Sequence, residues 1–253
     1  MRVAVLACVL LLGPCPLRGQ SVEPDADLFR EAAAAYAQGR CSEAVSRYAR
    51  ILAAGYAAPE VYYDLGAASL RMGEQGQAVL YFRAAWFLDP EDAQIRDALA
   101  LALRSANADA PDASGTLQWC LQLRPQRWLA LAAAAYWACA ICVVLLLSGW
   151  RRRWLRHAAA ACFVCALVGA AGVWTWRQKT LELEGVVTAS QAVLRLGPGE
   201  AAQPLAPIPS GSIVRENESC PGWVRVSEGD RSGWLPAGDV TRVGGWDRPA
   251  TRP

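Results

Sequence analysis

Cysteine is the residue in this sequence whose spacing comes nearest to suggesting chemistry. The 253-residue chain holds nine. Cys139-x-x-Cys142 and Cys162-x-x-Cys165 stand 19 residues apart, which matches a zinc-ribbon spacing. Their surroundings argue against a metal. Both pairs lie in apolar runs, an arginine cluster falls between them, and no turn residues form knuckles. A dication and four thiolates would be very costly to bury there without charge balance. Cysteine is also a small residue that packs well between helices, so packing is the preferred reading. The alternative is a thiol relay through Cys142 and Cys165, which Cys142→Ser or Cys165→Ser would abolish. Beyond residue 20, Cys41, Cys120 and Cys220 lie outside the apolar runs, and in an oxidising compartment that odd number leaves at least one thiol free or paired with another chain. His157 is the only histidine, so no imidazole-based nucleophile pair or metal cluster can form around a second one. Gly197–Gly199 reads as a turn, not a phosphate loop, and no pair of acids stands out. The expectation is no enzyme, no catalytic residue, no cofactor and no metal.

The elements around these residues follow from hydropathy and charge. The hydrophobic fraction is 54%, and three apolar stretches account for it. The first, Val3–Leu12, follows Arg2 and precedes Gly13, Pro14 and Pro16, which predicts a signal peptide over residues 1–20. The other two, 128–150 and 158–176, contain no charge and carry tryptophans at their ends, which predicts two membrane spans. Arg151, Arg152, Arg153 and Arg156 in the loop 151–157 outnumber the positive residues on either flank. The positive-inside rule then places both flanking modules on the outer side of the membrane. With one lysine and no basic stripe interleaved with aromatics, nucleic acid is not an expected partner.

Residues 24–107 hold an echo. Gly39, Ala44, Val45 and Tyr48 recur as Gly73, Ala78, Val79 and Phe82, a period of 34 residues. This resembles the tetratricopeptide repeat, a helix–turn–helix unit that stacks on its neighbours. The predicted repeats run from about 25 to 58 and from 59 to 92, with a capping helix over 92–105. In the second repeat Tyr62, Leu65, Gly66 and Gly73 precede Ala78, Phe82, Ala85 and Pro90, as the family pattern asks. The first is poorer, with Ala32 in place of Gly and Tyr56 in place of Pro. The resemblance implies a groove lined by Phe29, Tyr36, Tyr63, Arg71, Asp97 and Arg104 that binds a segment of another protein. With only Arg71 and Arg104 as basic groups there, a clamp for a terminal carboxylate is not expected.

A linker over 108–127 leads to the apolar pair. Beyond it, residues 183–243 alternate short Val, Leu and Ile runs with Gly/Pro turns, which predicts a small β-barrel. Val193, Arg195, Gly197, Pro198, Gly211, Trp223, Val226, Gly233, Trp234 and Pro236 resemble the bacterial SH3-like domain. Trp223 and Trp234 are its candidate surface residues. The stretch has no tyrosine, which argues against binding of polyproline. Residues 244–253 read as a tail.

The predicted fold is a multidomain membrane protein. It combines an all-α repeat module, a two-helix transmembrane hairpin and an all-β SH3-like barrel. This order resembles the BatE-type proteins of bacterial aerotolerance operons. The resemblance implies a non-catalytic scaffold of the bacterial envelope that docks von Willebrand A-domain membrane proteins and a MoxR-type AAA+ ATPase system. The expected location is the inner membrane, with both modules periplasmic. One alternative is an envelope sensor whose SH3-like domain binds peptidoglycan peptides.

Overall fold

The computed structural model describes residues 26–108, 125–147, 153–181, 184–229 and 231–243. The predicted signal peptide, most of the linker and the tail lie outside them. Five short helices come first: α1 (Ala26–Ala37), α2 (Cys41–Ala53), α3 (Pro59–Arg71), α4 (Gln75–Leu88) and α5 (Ala93–Ser105). Each packs on the next in chain order. Pro59 starts α3, where a missing N–H costs nothing, and the Asp92 carboxylate caps α5 by accepting from the Gln94 N–H at 2.7 Å. The first helix of each pair ends in the same way. Gly39 and Gly73 take φ of +78° and +79°, and Asn107, a further 34 residues on, takes +52°. Each turn is closed by the same outer backbone bond: Arg40 N–H to Ala35 O, Glu74 N–H to Ser69 O and Ala108 N–H to Leu103 O, at 2.9, 3.0 and 3.0 Å. This is the Schellman closure, which needs a left-handed residue that Gly supplies freely and Asn tolerates. By this measure α5 is the first helix of a third unit.

Within the second unit the two helices touch at Gly66. A Cβ there would stand 2.8 Å from Cδ1 of Phe82, so glycine is what lets the Phe82 ring lie flat against α3. The apolar cores of the two units are continuous, with Ala32, Ala44, Tyr48, Ile51, Val61 and Leu65 in one cluster.

Two longer helices, α6 (Pro125–Leu147) and α7 (Arg153–Leu181), pack antiparallel. Gly169 lies on Ala132 and Gly172 on the Trp128 ring, so close that an added Cβ would reach Ala132 Cβ at 2.9 Å and run into the Trp128 ring. Their outer faces carry exposed apolar side chains, among them Leu131, Ile141, Phe163 and Leu167. The expectation of two membrane spans is corrected here. Among the described residues no helix is long and apolar enough to cross a membrane. The sequence reading weighed the runs 128–150 and 158–176 by length and lack of charge. Crossing also needs a helix that is apolar over the whole bilayer core, and none is over its described residues. The transmembrane hairpin, the assignment as a membrane protein and the multi-pass inner-membrane location fall with it. The fold is a mixed one of helices and sheet.

The C-terminal part is a seven-stranded antiparallel sheet in the order β3-β2-β6-β5-β4-β1-β7. The strands are β1 (Glu184–Val187), β2 (Ala192–Arg195), β3 (Pro204–Ile208), β4 (Ile213–Cys220), β5 (Trp223–Glu228), β6 (Arg231–Pro236) and β7 (Val240–Arg242). All seven contribute to one apolar cluster, Val187, Ala192, Leu194, Ile208, Val214, Val224, Leu235 and Val240 among them. A sheet whose every strand feeds one core must curl around it.

The curled sheet rests on the helical stack. Val186 of β1 enters the same buried cluster as Val79 of α4 and Leu99 and Leu103 of α5. Gly76 lies against the Val187 carbonyl and Ser210, and Gly211 against Ala106 and Val79. In a stack of paired helices, the second helix of a third unit would occupy this side of α4 and α5. The sheet takes its place.

Candidate functional site

The sequence-predicted groove residues come from the three first helices, α1, α3 and α5, and the structure brings some of them together. Arg71, exposed at the end of α3, sits over the Tyr36 ring of α1 with its guanidinium carbon 4.3 Å from the ring centre, and Nη1 donates to the Tyr36 carbonyl at 3.3 Å. One step along, Tyr63 of α3 accepts through its hydroxyl from Nε2 of Gln94 in α5, at 3.0 Å. Asp97 and Arg104 are exposed and lie seven residues apart, on one face of α5. These contacts join α1, α3 and α5 along one face that carries aromatic rings, an amide and the exposed charges of Arg71, Asp97 and Arg104.

Phe29 and Tyr63 also serve their own units. Phe29 meets the Tyr48 ring edge-on at 5.6 Å between centres, and Tyr63 meets Phe82 at the same 5.6 Å. The two pairs are equivalent, 34 residues apart. Both phenyl rings are half-buried, so Phe29 is a packing residue and Tyr63 both packs and offers its rim.

Three groups that the sequence reading missed matter here. Tyr48 donates its hydroxyl proton to Asp64 at 2.8 Å, across the boundary between the first and second units. Burial raises the Asp64 carboxyl above the usual carboxylate range; the Tyr48 hydroxyl opposes this, and the charge of Glu60 adds to it. Burial also raises the Tyr48 phenol, with Asp64 reinforcing the shift. Arg83 and Glu184 form the second feature. Their side chains are 6% and 8% exposed, and the guanidinium donates from Nη2 at 2.9 Å and Nε at 3.2 Å to one carboxylate oxygen. Arg83 also lies over the rings of Trp86 and Phe87, 4.4 and 4.9 Å from their centres. It is the only charged residue of α4, a signal that the sequence did carry. Gln94 is the third.

On the sheet, the two expected surface tryptophans are half-buried on its outer side. Pairing places Arg225 and Arg195 on either side of Trp234, and Pro236 beside Trp223. Glu218 of β4 pairs with Arg225 at 3.5 Å, whereas Arg195 is held by the carbonyls of Glu200 and Ala202. The row Glu218, Arg225, Trp234, Arg195 thus sets an arginine on each side of one indole.

Among the described residues, no group of three or more His, Cys, Asp or Glu is placed to hold a metal ion. No family model, no curated protein and no solved structure matches this chain.

Proposed function

We propose that the chain is a non-catalytic adaptor that docks a segment of another protein on the face shared by α1, α3 and α5. One observation carries this reading. The opposite, second-helix side of the stack at α4 is covered by the sheet through Val186, Gly211 and the Arg83–Glu184 pair, while the described residues leave the first-helix side open with Tyr36, Arg71, Tyr63, Gln94, Asp97 and Arg104. A half-buried aromatic rim with exposed charges of both signs suits an amphipathic helix of mixed charge. The resemblance to BatE-type proteins supplies candidate partners, von Willebrand A-domain proteins and a MoxR-type ATPase.

A photo-crosslinking residue at position 97 or 104 tests this with those partners purified. The reading expects crosslinks from both positions and none from position 42, which faces away on α2. Equal yields from all three positions would overturn it.

The row around Trp234 favours a second reading, a sheet that binds acidic peptides of the cell wall. Retention of the protein on purified peptidoglycan, lost on Trp234→Ala, supports this second reading.

A further inference from the structure

The cysteine pairs are the one motif that the docking reading leaves unused. The helix seam shows where they sit. Ala132 and Trp128 face Gly169 and Gly172 along the contact between α6 and α7. Seven residues beyond Ala132 on α6 is Cys139, and seven before Gly169 on α7 is Cys162. In antiparallel helices those two steps move the same way along the seam by about 10 Å and return to the same face. Cys139 and Cys162 therefore stand opposite each other one layer on. Cys142 and Cys165 are three residues further along their helices, which in an antiparallel pair carries them in opposite directions, and Cys162 lies within electrostatic reach of the thiols of Cys142, Cys139 and Cys165.

The seam is narrow enough for a covalent link. A Cβ built on Gly169 comes within 2.9 Å of Ala132 Cβ, and a disulfide asks for a Cβ separation of about 3.5–4.5 Å. At the Gly169 layer the helices are closer than that figure requires. The thiols are also reachable, since Cys139, Cys142 and Cys162 are half-exposed and Cys165 is exposed.

We infer that the seam is a redox site in which Cys162 of α7 closes a disulfide with Cys139 or Cys142 of α6, by exchange with an external disulfide. One seam thiolate attacks the external S–S bond and displaces one of its sulfurs as a thiol. The second seam thiolate attacks the mixed disulfide, forms the bond between the helices and releases the other thiol. The seam loses two electrons and two protons, and the external disulfide gains them. The bond ties the two long helices at mid-length. The site is independent of the docking reading.

The test uses the full chain, reduced and then equilibrated with oxidised glutathione, with remaining thiols capped by a maleimide and peptides mapped by mass spectrometry. The expected result is a peptide that bridges α6 to Cys162 and a loss of two maleimide labels from the four seam thiols. Cys162→Ser should abolish the bridge while Cys41→Ser leaves it intact, both with unchanged helical circular dichroism. If all four seam thiols stay labelled, if only a glutathione adduct at Cys165 forms, or if bridges form only between chains, the inference is wrong. Should Cys162→Ser lose its helical signal, the bridge in the unmutated chain alone decides, since its presence supports the inference and its absence overturns it.

Discussion

The first and second helical units are built on one 34-residue plan, and they differ where they meet their neighbours. Phe29–Tyr48 and Tyr63–Phe82 are the same ring pair at the same 5.6 Å. Ala32 and Gly66 occupy the same site between paired helices, and only Gly66 is under a ring so close that a Cβ would clash. On the outer side of the second helices the contrast is sharper. Ser42 and Ala49 of the first unit are exposed and Val45 is half-buried, whereas their equivalents Gly76, Arg83 and Val79 are all buried. The second unit has exchanged a solvated face for one shaped to the sheet: a glycine where backbone comes close, a valine in the shared core, a charge with a buried partner. One scaffold thus becomes two different surfaces through three positions per helix.

The largest break in this comparison comes from the buried charge. Glu184→Leu leaves the Arg83 guanidinium without the carboxylate that it bonds twice, and removal of one partner of a buried pair costs about 3–5 kcal/mol. Replacing both, Arg83→Met with Glu184→Leu, should restore most of the stability, because apolar groups of similar volume then fill the site. Urea unfolding of the two variants measures this. A single-variant cost under about 1 kcal/mol, the range of exposed pairs, would mean that the sheet does not seal this face. The equivalent change in the first unit, Ala49→Leu, should leave stability nearly unchanged.

Gly76→Ala is the next test. The added Cβ would stand 2.8 Å from the Val187 carbonyl oxygen and 3.0 Å from Thr188 Cα, both backbone atoms that cannot swing aside. Overpacking of this kind costs about 1–3 kcal/mol. Ser42→Ala, one unit earlier on an exposed helix position, should stay within about 0.5 kcal/mol of the unmutated chain. Thermal or urea midpoints that move equally for the two variants would remove the distinction between the faces.

How far these features could be read in advance depends on whether their cause was local. Gly39 and Gly73 were visible as a spacing, and both take the left-handed turn. Asn107 performs the same task, but asparagine is no repeat marker, so the sequence shows α5 only as a capping helix. The aromatic types at Phe29 and Tyr63 were legible and their direction was not, because a ring at a helix boundary can face its own unit or a partner, and packing decides. The apolar runs were legible as helices, while length without charge overstated their capacity to cross a membrane. The contact between stack and sheet left almost no trace. Arg83 and Glu184 are 101 residues apart, and no short spacing can announce a pair made by tertiary packing. Of the candidate site, Tyr36 with Arg71 was legible as residue types on successive first helices, and Gln94 was not.

The smallest expected effect lies at the boundary between the two units, and it carries a pH signature. Tyr48 and Asp64 are replaced one unit later by Phe82 and Ala98, so the hydrogen bond marks only the first junction. Tyr48→Phe should cost about 1 kcal/mol at neutral pH, the usual net worth of such a bond. The Asp64 carboxyl is raised by burial, so its folded value lies above the unfolded one near 4. Its stabilising contribution is then complete below pH 4 and is lost as pH rises through the folded value, because the folded chain holds the proton longer. Relative to Asp64→Asn, which cannot titrate, the unmutated chain should gain stability on acidification across that window. The Tyr48 phenol is raised as well, so its contribution is complete below an unfolded value near 10 and is lost as pH climbs above it. Above pH 10 the unmutated chain should therefore lose stability faster than Tyr48→Phe. Unfolding midpoints for the three proteins between pH 3 and 11 measure both limbs. Parallel curves throughout would mean that this junction is as apolar as the one made by Phe82 and Ala98, and that the two units differ only in their contact with the sheet.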